Sequence, residues 1–222
     1  MAIFPQSRPM RLRRTAAIRN LTRETSLHPS QLVHPLFIVH GRGVARPIPS
    51  MPGQTQLSVD EMLDRRIDAL RNAGVLSVLL FGLPAAKDET GSEGYASEGI
   101  VQQAIRRIKR HRPDTLVVTD VCCCEYTSHG HCGILRDGTF DQDATRAIIE
   151  RTAVSHAEAG ADIVAPSGMI DGAVGAIRGA LDVAGFTDRA IMGYSVKYAS
   201  AFYGPFRDAA DSAPQSGDRR HH

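Results

Sequence analysis

Apolar segments alternate with amphipathic segments along most of the 222-residue chain, and this alternation constrains the fold more than any other feature. The continuous apolar runs span residues 34–41, 75–84, 114–122, 161–168 and 189–200. Between them lie four segments whose apolar residues recur at helical spacing. Continuous apolar runs are typical of strands that are buried on both faces, as in a parallel sheet covered by helices. The sequence therefore predicts an α/β fold with five parallel strands.

The two ends of this pattern indicate how the chain is organised. Residues 1–33 are basic and then polar, and we interpret them as an N-terminal arm with one short helix. Residues 34–222 form the predicted α/β domain, in which the proline- and glycine-rich stretch "RPIPSMPGQTQLS" is expected to be a loop. Long polar loops follow the carboxyl ends of the predicted strands, where α/β folds carry their chemistry.

Charge, hydropathy and cysteine usage exclude several classes of protein. The net charge of +2 gives no reason to expect a nucleic-acid partner. No apolar run approaches the roughly 18 residues that a membrane-spanning helix needs. All four cysteines lie in one segment, so a disulfide framework is disfavoured and a reducing compartment is favoured. We therefore expect a cytoplasmic protein without a membrane partner.

The cysteine segment "DVCCCEYTSHGHCG" follows the third apolar run directly. Cys122, Cys124 and Cys132 have the spacing C-x-C-x7-C, and three thiolates from one loop can hold a tetrahedral Zn²⁺ ion. If strand geometry continues into the loop, Cys122 and Cys124 point to one side and Cys123 to the other. We therefore predict a zinc site that excludes Cys123.

The fourth position of this predicted site has more than one candidate. His129 or His131 would close it as a structural zinc site, whereas water or substrate there would make it catalytic. A set of buried cysteines without metal is the third interpretation. The position of the loop after a strand favours the catalytic site.

Lys197 is one of only three lysines in a chain with 26 basic residues. It lies in "MGYSVKYASAFYG", at the end of the fifth apolar run. A lysine that is desolvated there would have a lowered pKa and could form a Schiff base with a ketone. A lysine that extends to solvent or pairs with a carboxylate is the alternative.

Four further residues are candidates for binding or proton transfer. Arg207 and Arg219 lie in a downstream loop that could close as a lid, and arginine suits carboxylates. They are equally compatible with solvated loop positions. Asp120 is interpreted as a ligand-orienting group, a proton relay or a structural carboxylate, and Ser167 as a functional residue or a helix cap.

Three of these segments together resemble one family. "DVCCCEYTSHGHCG", "APSGMIDGAVGAIRGALD" and "YSVKYASAFYGPFRDAA" are similar to the porphobilinogen synthase (δ-aminolevulinic acid dehydratase) family in its zinc-dependent branch, and the resemblance covers essentially the whole chain. It implies a (β/α)8 TIM barrel with an N-terminal arm, of which this chain holds about five of eight strand–helix units. The implied activity joins two 5-aminolevulinate molecules into porphobilinogen with loss of two waters, and the implied assembly is a homo-octamer.

The resemblance also implies roles for individual residues. Lys197 corresponds to a Schiff-base lysine, with Asp120 as a second catalytic residue. The other implied roles are zinc binding by Cys122, Cys124 and Cys132, and substrate binding by Arg207, Arg219, Ser167 and Tyr203.

The chain also departs from the family pattern. Family members continue with three further strands and a second essential lysine, whereas Lys87 and Lys109 here lie in a predicted loop and helix. The allosteric Mg²⁺ site of some members has no counterpart in these residues. Two interpretations follow: a porphobilinogen synthase, or a non-catalytic zinc-binding remnant of one. We expect these 222 residues alone to lack useful turnover.

Overall fold

The fold is that of a computed structural model, which describes residue 3, residues 5–198 and residues 200–212. The helices are α1 (Ala16–Leu21), α2 (Glu61–Asn72), α3 (Ile100–His111), α4 (Gln142–Ala159), α5 (Ala173–Val183) and α6 (Gly204–Ala210). The strands are β1 (Val33–Val39), β2 (Ala45–Pro47), β3 (Thr55–Ser58), β4 (Ser77–Leu83), β5 (Leu116–Val121), β6 (Ile134–Arg136), β7 (Thr139–Asp141), β8 (Ile163–Pro166) and β9 (Ala190–Ile191). Among the described residues, no helix has both the length and the apolar character that crossing a membrane requires.

Seven strands form one sheet in the order β2-β3-β1-β4-β5-β8-β9. The five predicted strands are β1, β4, β5, β8 and β9, and every neighbouring pair among them is parallel. The α/β prediction is therefore confirmed. Within the described part of the chain the sheet is open rather than closed into a barrel.

Two expectations about the strands were wrong. The stretch "RPIPSMPGQTQLS" holds β2 and β3, which pair antiparallel with each other, while β3 pairs parallel with β1. Proline and glycine interrupt the sequence pattern there, but the backbone on either side of the turn still pairs. The fifth apolar run is a strand only over Ala190–Ile191. It lies at an edge of the described sheet, and the later side chain of Val196 is 59% exposed, so apolar character there does not reflect burial on two faces.

Strand β1 shows why the apolar runs are continuous. Leu36 and Ile38 pack under α2 and α3 in one core cluster, whereas Phe37 and Val39 pack on the opposite face. Successive side chains of a strand point to opposite faces, so both faces of β1 are buried. A second cluster joins β5 and β8 to α4 and α5.

The short helix α6 covers the face of the sheet that is opposite to α2 and α3. Phe206 lies edge-on to Phe81, with ring centroids 5.0 Å apart, and Ala209 and Ala210 are fully buried. Gln56 Nε2 donates a hydrogen bond to the Ala209 carbonyl oxygen over 2.8 Å. Helix α6 is thereby held over the carboxyl-end half of the sheet.

The predicted arm has a different character from the sheet. Its described residues form α1 and two short 3-10 turns, Pro9–Arg13 and Pro29–Gln31, and none of their side chains is buried. Apolar side chains such as Leu21 and Leu27 are largely exposed. The boundary at residue 33 stays a prediction.

His156 in α4 is a fully buried histidine that links the helix to the sheet. Its Nδ1 lies 3.0 Å from Thr119 Oγ1 in β5, and burial lowers its pKa to about 3. Because an unfolded chain has an ordinary histidine pKa near 6.5, the unfolded state takes up a proton as the pH falls below that value while the folded state does not. His156 therefore destabilises the fold progressively as the pH falls from about 6.5 towards the lowered value.

We predict that His156→Asn flattens the acid side of the stability profile. Between about pH 6 and pH 4 the wild-type histidine costs about 1.4 kcal/mol of unfolding free energy per pH unit, and the variant lacks this dependence. Urea unfolding at several pH values measures it. Replacing the exposed His28, which caps the turn at Pro29–Gln31, by Asn is the control for removing a surface histidine. Parallel profiles for wild type and His156→Asn would contradict the assignment.

Candidate functional site

The predicted site residues converge at the carboxyl ends of β5, β8 and β9. The register pairs Asp120 with Ala165 and Val121 with Pro166, so the cysteine loop leaves β5 beside the end of β8. Beyond β9 the chain continues along β8, where the Tyr194 amide donates to the Pro166 carbonyl oxygen over 3.2 Å. This places the segment that carries Lys197 next to the cysteine loop.

The three predicted ligand cysteines form a compact buried cluster. The Sγ atoms of Cys122, Cys124 and Cys132 all lie within 4.8 Å of one another, and those of Cys122 and Cys124 are 3.4 Å apart. Cys123 packs instead among the apolar side chains that line α4 and α5. The structure thus places Cys123 on the opposite side, as strand alternation predicts.

The donor set fits a soft divalent ion. Three thiols converge at one point, all less than 5% exposed, and thiolates are ligands that select Zn²⁺ over hard cations. Among the described residues, the group of ligand atoms around these thiols does not include His129 or His131. The His129 Nδ1 atom instead accepts a hydrogen bond from the His131 amide over 3.1 Å. A position for a fourth, non-protein ligand is therefore compatible with the cluster.

Two buried carboxyl groups border the thiols. Burial raises the pKa of Asp120, and the neighbouring Glu125 and Cys122 raise it further, while a hydrogen bond from the Ser167 side chain lowers it. Burial and Cys122 also raise the pKa of Glu125 to about 7. Among the described residues, no hydrogen-bond partner reaches Asp120 Oδ1, which is buried.

Glu125 is a site residue that the sequence analysis did not single out. It is 2% exposed, and its Oε2 lies 3.4 Å from Cys124 Sγ. The signal was present in the sequence, because a charged residue directly follows three cysteines in a segment that otherwise reads as buried.

Lys197 lies beside this cluster, but its electrostatic setting differs from the expectation. Its Nζ donates to the Ser167 carbonyl oxygen over 3.2 Å and lies 5.8 Å from the centre of the Tyr203 ring. Burial alone lowers the pKa of Lys197. The nearby thiols, with Cys122 the largest contributor, and Asp120 outweigh it, so the pKa is raised. The expectation of a lowered pKa assumed apolar surroundings, which the nearby thiols and Asp120 contradict.

The structure describes one of the two arginines that were predicted to bind substrate. Arg207 lies in α6, half-buried, and within the described structure its buried Nε atom has no hydrogen-bond partner. Arg219 lies outside the described residues. Ser167 does not cap α5, which begins after Gly172, and instead contacts both Asp120 and Lys197.

The arrangement combines three chemical capacities within one edge of the sheet. Lys197 offers an amine that can attack a carbonyl carbon, the thiol cluster offers a cation site, and Asp120 offers a buried carboxyl that can exchange a proton. Arg207 offers a partly buried donor for an anionic group. Such a set suits a substrate that carries a ketone and a carboxylate.

Comparisons with known proteins agree on one family. The family described as delta-aminolevulinic acid dehydratase matches residues 6–222. A delta-aminolevulinic acid dehydratase of Halalkalibacterium halodurans is 54% identical over 213 residues, and one of Methanothermobacter thermautotrophicus is 54% identical over 219 residues. The crystal structure of the Toxoplasma gondii ME49 enzyme, in complex with the reaction product porphobilinogen, superimposes with a TM-score of 0.93 at 40% identity.

These matches cover nearly all of this chain and about two thirds of each relative. The covered shares are 96% of this chain and 65% of the H. halodurans protein, and 98% and 67% for the M. thermautotrophicus protein. For the T. gondii structure they are 100% and 64%.

Proposed function

Because the chain belongs to the delta-aminolevulinic acid dehydratase family, we propose that it takes part in porphobilinogen synthesis, the condensation of two 5-aminolevulinate molecules with loss of two waters. The observation that carries this proposal is the convergence of Lys197 with three buried thiols at adjacent strand ends. The similarity of this chain to the T. gondii enzyme, whose crystal structure contains porphobilinogen, supports the same substrate class.

The proposed step at Lys197 is imine formation with one 5-aminolevulinate. Lys197 first loses the proton that its raised pKa favours, and the Nζ lone pair then attacks the ketone carbon. The two hydrogens left on the nitrogen are transferred as protons to the carbonyl oxygen, which leaves as water, and a C=N bond replaces the C=O bond. In this proposal Asp120 Oδ1, which is buried and has no hydrogen-bond partner among the described residues, exchanges one of these protons. The imine then withdraws electrons from the neighbouring carbon, which prepares that carbon for bond formation.

Other residues of this chain bind and orient the substrate in the proposal. Arg207 donates a hydrogen bond from its Nε to the substrate carboxylate, with Arg219 as a second donor. Tyr203 covers Lys197 on one side, and Ser167 holds Asp120 through its side chain and Lys197 through its carbonyl oxygen. Holding both reactants in one orientation removes much of the entropic cost of their encounter.

The cofactor in this proposal is Zn²⁺, held by Cys122, Cys124 and Cys132. The buried three-thiol donor set fits this ion better than Mg²⁺, which prefers oxygen ligands. When bound, zinc supplies a Lewis acid beside the substrate and positive charge that offsets the thiolates around Lys197.

We also propose an oligomeric state, a domain division and a cellular location for the protein. The exposed apolar side chains of the arm, residues 1–33, support a homo-oligomer such as the octamer of the family. Residues 34–222 form the proposed barrel domain. We place the protein in the cytoplasm, where reduced thiols persist.

We predict that one Zn²⁺ binds per chain through three of the four cysteines. Replacing Cys122, Cys124 or Cys132 by Ala should each abolish tight binding, because two thiolates leave the tetrahedral ion without enough ligands. Competition with a chromophoric chelator measures the affinity. Cys123→Ala is the matched control and should retain it. Equal losses in all four variants would refute the ligand assignment.

We predict that Lys197 is labelled when borohydride is added with 5-aminolevulinate, since reduction of the imine fixes the substrate to Nζ. Peptide mapping should find one adduct, and Lys197→Met should remove it. Lys109→Arg is the control, because Lys109 is held by Asp162 at 2.6 Å and should not be labelled. An adduct on Lys87 or Lys109 with Lys197 unmodified would overturn the proposal. Labelling does not require turnover, so it tests capture separately from pyrrole formation.

We predict that Arg207→Ala weakens 5-aminolevulinate binding by about 1–3 kcal/mol, the range for a lost hydrogen bond to a charged group. Titration calorimetry of the zinc-loaded protein measures this loss. Arg146→Ala, at a partly exposed arginine of α4 that pairs with Asp143, is the control and should bind as wild type does. Unchanged affinity in Arg207→Ala would argue against a role in carboxylate binding.

A further inference from the structure

Tyr126 lies inside the cysteine loop, between the second and third predicted metal ligands, and has no assigned role. We propose that Tyr126 is a positioning residue: its ring, seated in a glycine-lined slot, fixes the loop so that Cys132 meets Cys122 and Cys124. This inference rests on the proposed zinc function. It concerns how the site is built rather than which atoms bind the ion.

The geometric problem is to bring Cys132 back to the two thiols at the end of β5. The loop turns at once, because the amides of Tyr126 and Thr127 both donate to the Cys123 carbonyl oxygen over 2.9 Å. It is closed further along by Thr127 Oγ1, which donates to the His131 carbonyl oxygen over 2.9 Å. These bonds shape the loop internally, but they do not by themselves fix it against the rest of the protein.

The side chain of Tyr126 supplies that attachment. It is 5% exposed and enters a slot between β4 and the loop that follows it. A Cβ atom at Gly82 would overlap the Tyr126 hydroxyl oxygen and lie 2.6 Å from Val101 Cγ2. A Cβ atom at Gly94 would lie 3.3 Å from the Tyr126 ring, which is tighter than an ordinary contact. The slot therefore exists because two positions around the ring lack side chains.

The Gly94 segment, which forms one side of the slot, is itself held by hydrogen bonds. Asp88 accepts hydrogen bonds from the amides of Thr90 at 2.8 Å and Ser92 at 3.1 Å, which shape the turn that ends in the Gly94 segment. The backbone of Asp88 also pairs with the cysteine loop: its amide donates to the Tyr126 carbonyl oxygen over 3.3 Å, and its carbonyl oxygen accepts from the Ser128 amide over 2.8 Å. The ring and the backbone thus join the same two loops.

A loop held in this way reduces the cost of metal binding. Three thiolates must be fixed within a few tenths of an ångström of their positions, and any ligand that is mobile beforehand must be ordered on binding. Residues that orient metal ligands without touching the ion typically change affinity about 10- to 100-fold when they are replaced. Tyr126 fulfils this description for Cys132.

The test compares zinc affinity in two substitutions of Tyr126. Tyr126→Phe keeps the ring in the slot and should bind zinc within about two-fold of wild type. Tyr126→Leu leaves part of the slot empty and should weaken zinc binding about ten-fold or more. The matched control is Phe37→Leu, which shortens another fully buried ring in the sheet, away from the cysteine loop. It should lower thermal stability by a similar amount and leave zinc affinity unchanged.

A second readout needs no metal. In the metal-free protein, amide hydrogen exchange in peptides covering residues 125–132 should be at least ten-fold faster in Tyr126→Leu than in Phe37→Leu. Equal zinc affinities in Tyr126→Leu and Phe37→Leu, or equal exchange rates, would overturn the proposal. If the wild-type protein failed to bind zinc, the proposed cofactor would be wrong, and the exchange measurement would still decide whether Tyr126 holds the loop.

Discussion

The hydrogen-bonded pairing of β5 with β8 is the constraint on which the candidate site depends. It places Asp120 opposite Ala165 and Val121 opposite Pro166, and the Ser167 amide donates to the Val121 carbonyl oxygen over 3.4 Å. The residues that follow the two strands are therefore neighbours at one edge. A shift of this register by one residue would turn Asp120 and the thiols to the opposite face of the sheet. The chemistry of the site is in this sense a consequence of backbone register.

This dependence explains which parts of the site could be predicted from the amino-acid sequence. The apolar runs identify the strands because both of their faces are buried, and the alternation of side chains separates Cys123 from Cys122 and Cys124. The contribution of Ser167 to both Asp120 and Lys197 could not be read from spacing, because these residues meet only through strand pairing. The sequence offered Ser167 as a functional residue or a helix cap, and the structure supplies the contacts that separate the two.

The errors of sequence analysis also have physical causes. β3 was missed because its pairing with β1 spans only three residues and follows a proline-rich stretch, so no apolar run marks it. The pKa of Lys197 was misjudged because the sequence shows its apolar neighbours, Val196 and the tyrosines, and not the thiols and carboxylate that lie nearby in space. Tyr126 gave no signal because its slot is made by glycines more than thirty residues away in the sequence.

The loop between β4 and α3 contacts both the segment that follows α6 and the cysteine loop. One end of it contacts the segment after α6, where Lys87 Nζ lies 3.2 Å from the Asp211 carboxylate and also donates to the Asp211 carbonyl oxygen. The next residue, Asp88, pairs with the cysteine loop. The segment after the helix that carries Arg207 and the loop that carries Cys132 therefore both contact the same short stretch of backbone. Their relative position is therefore set by this loop together with the sheet.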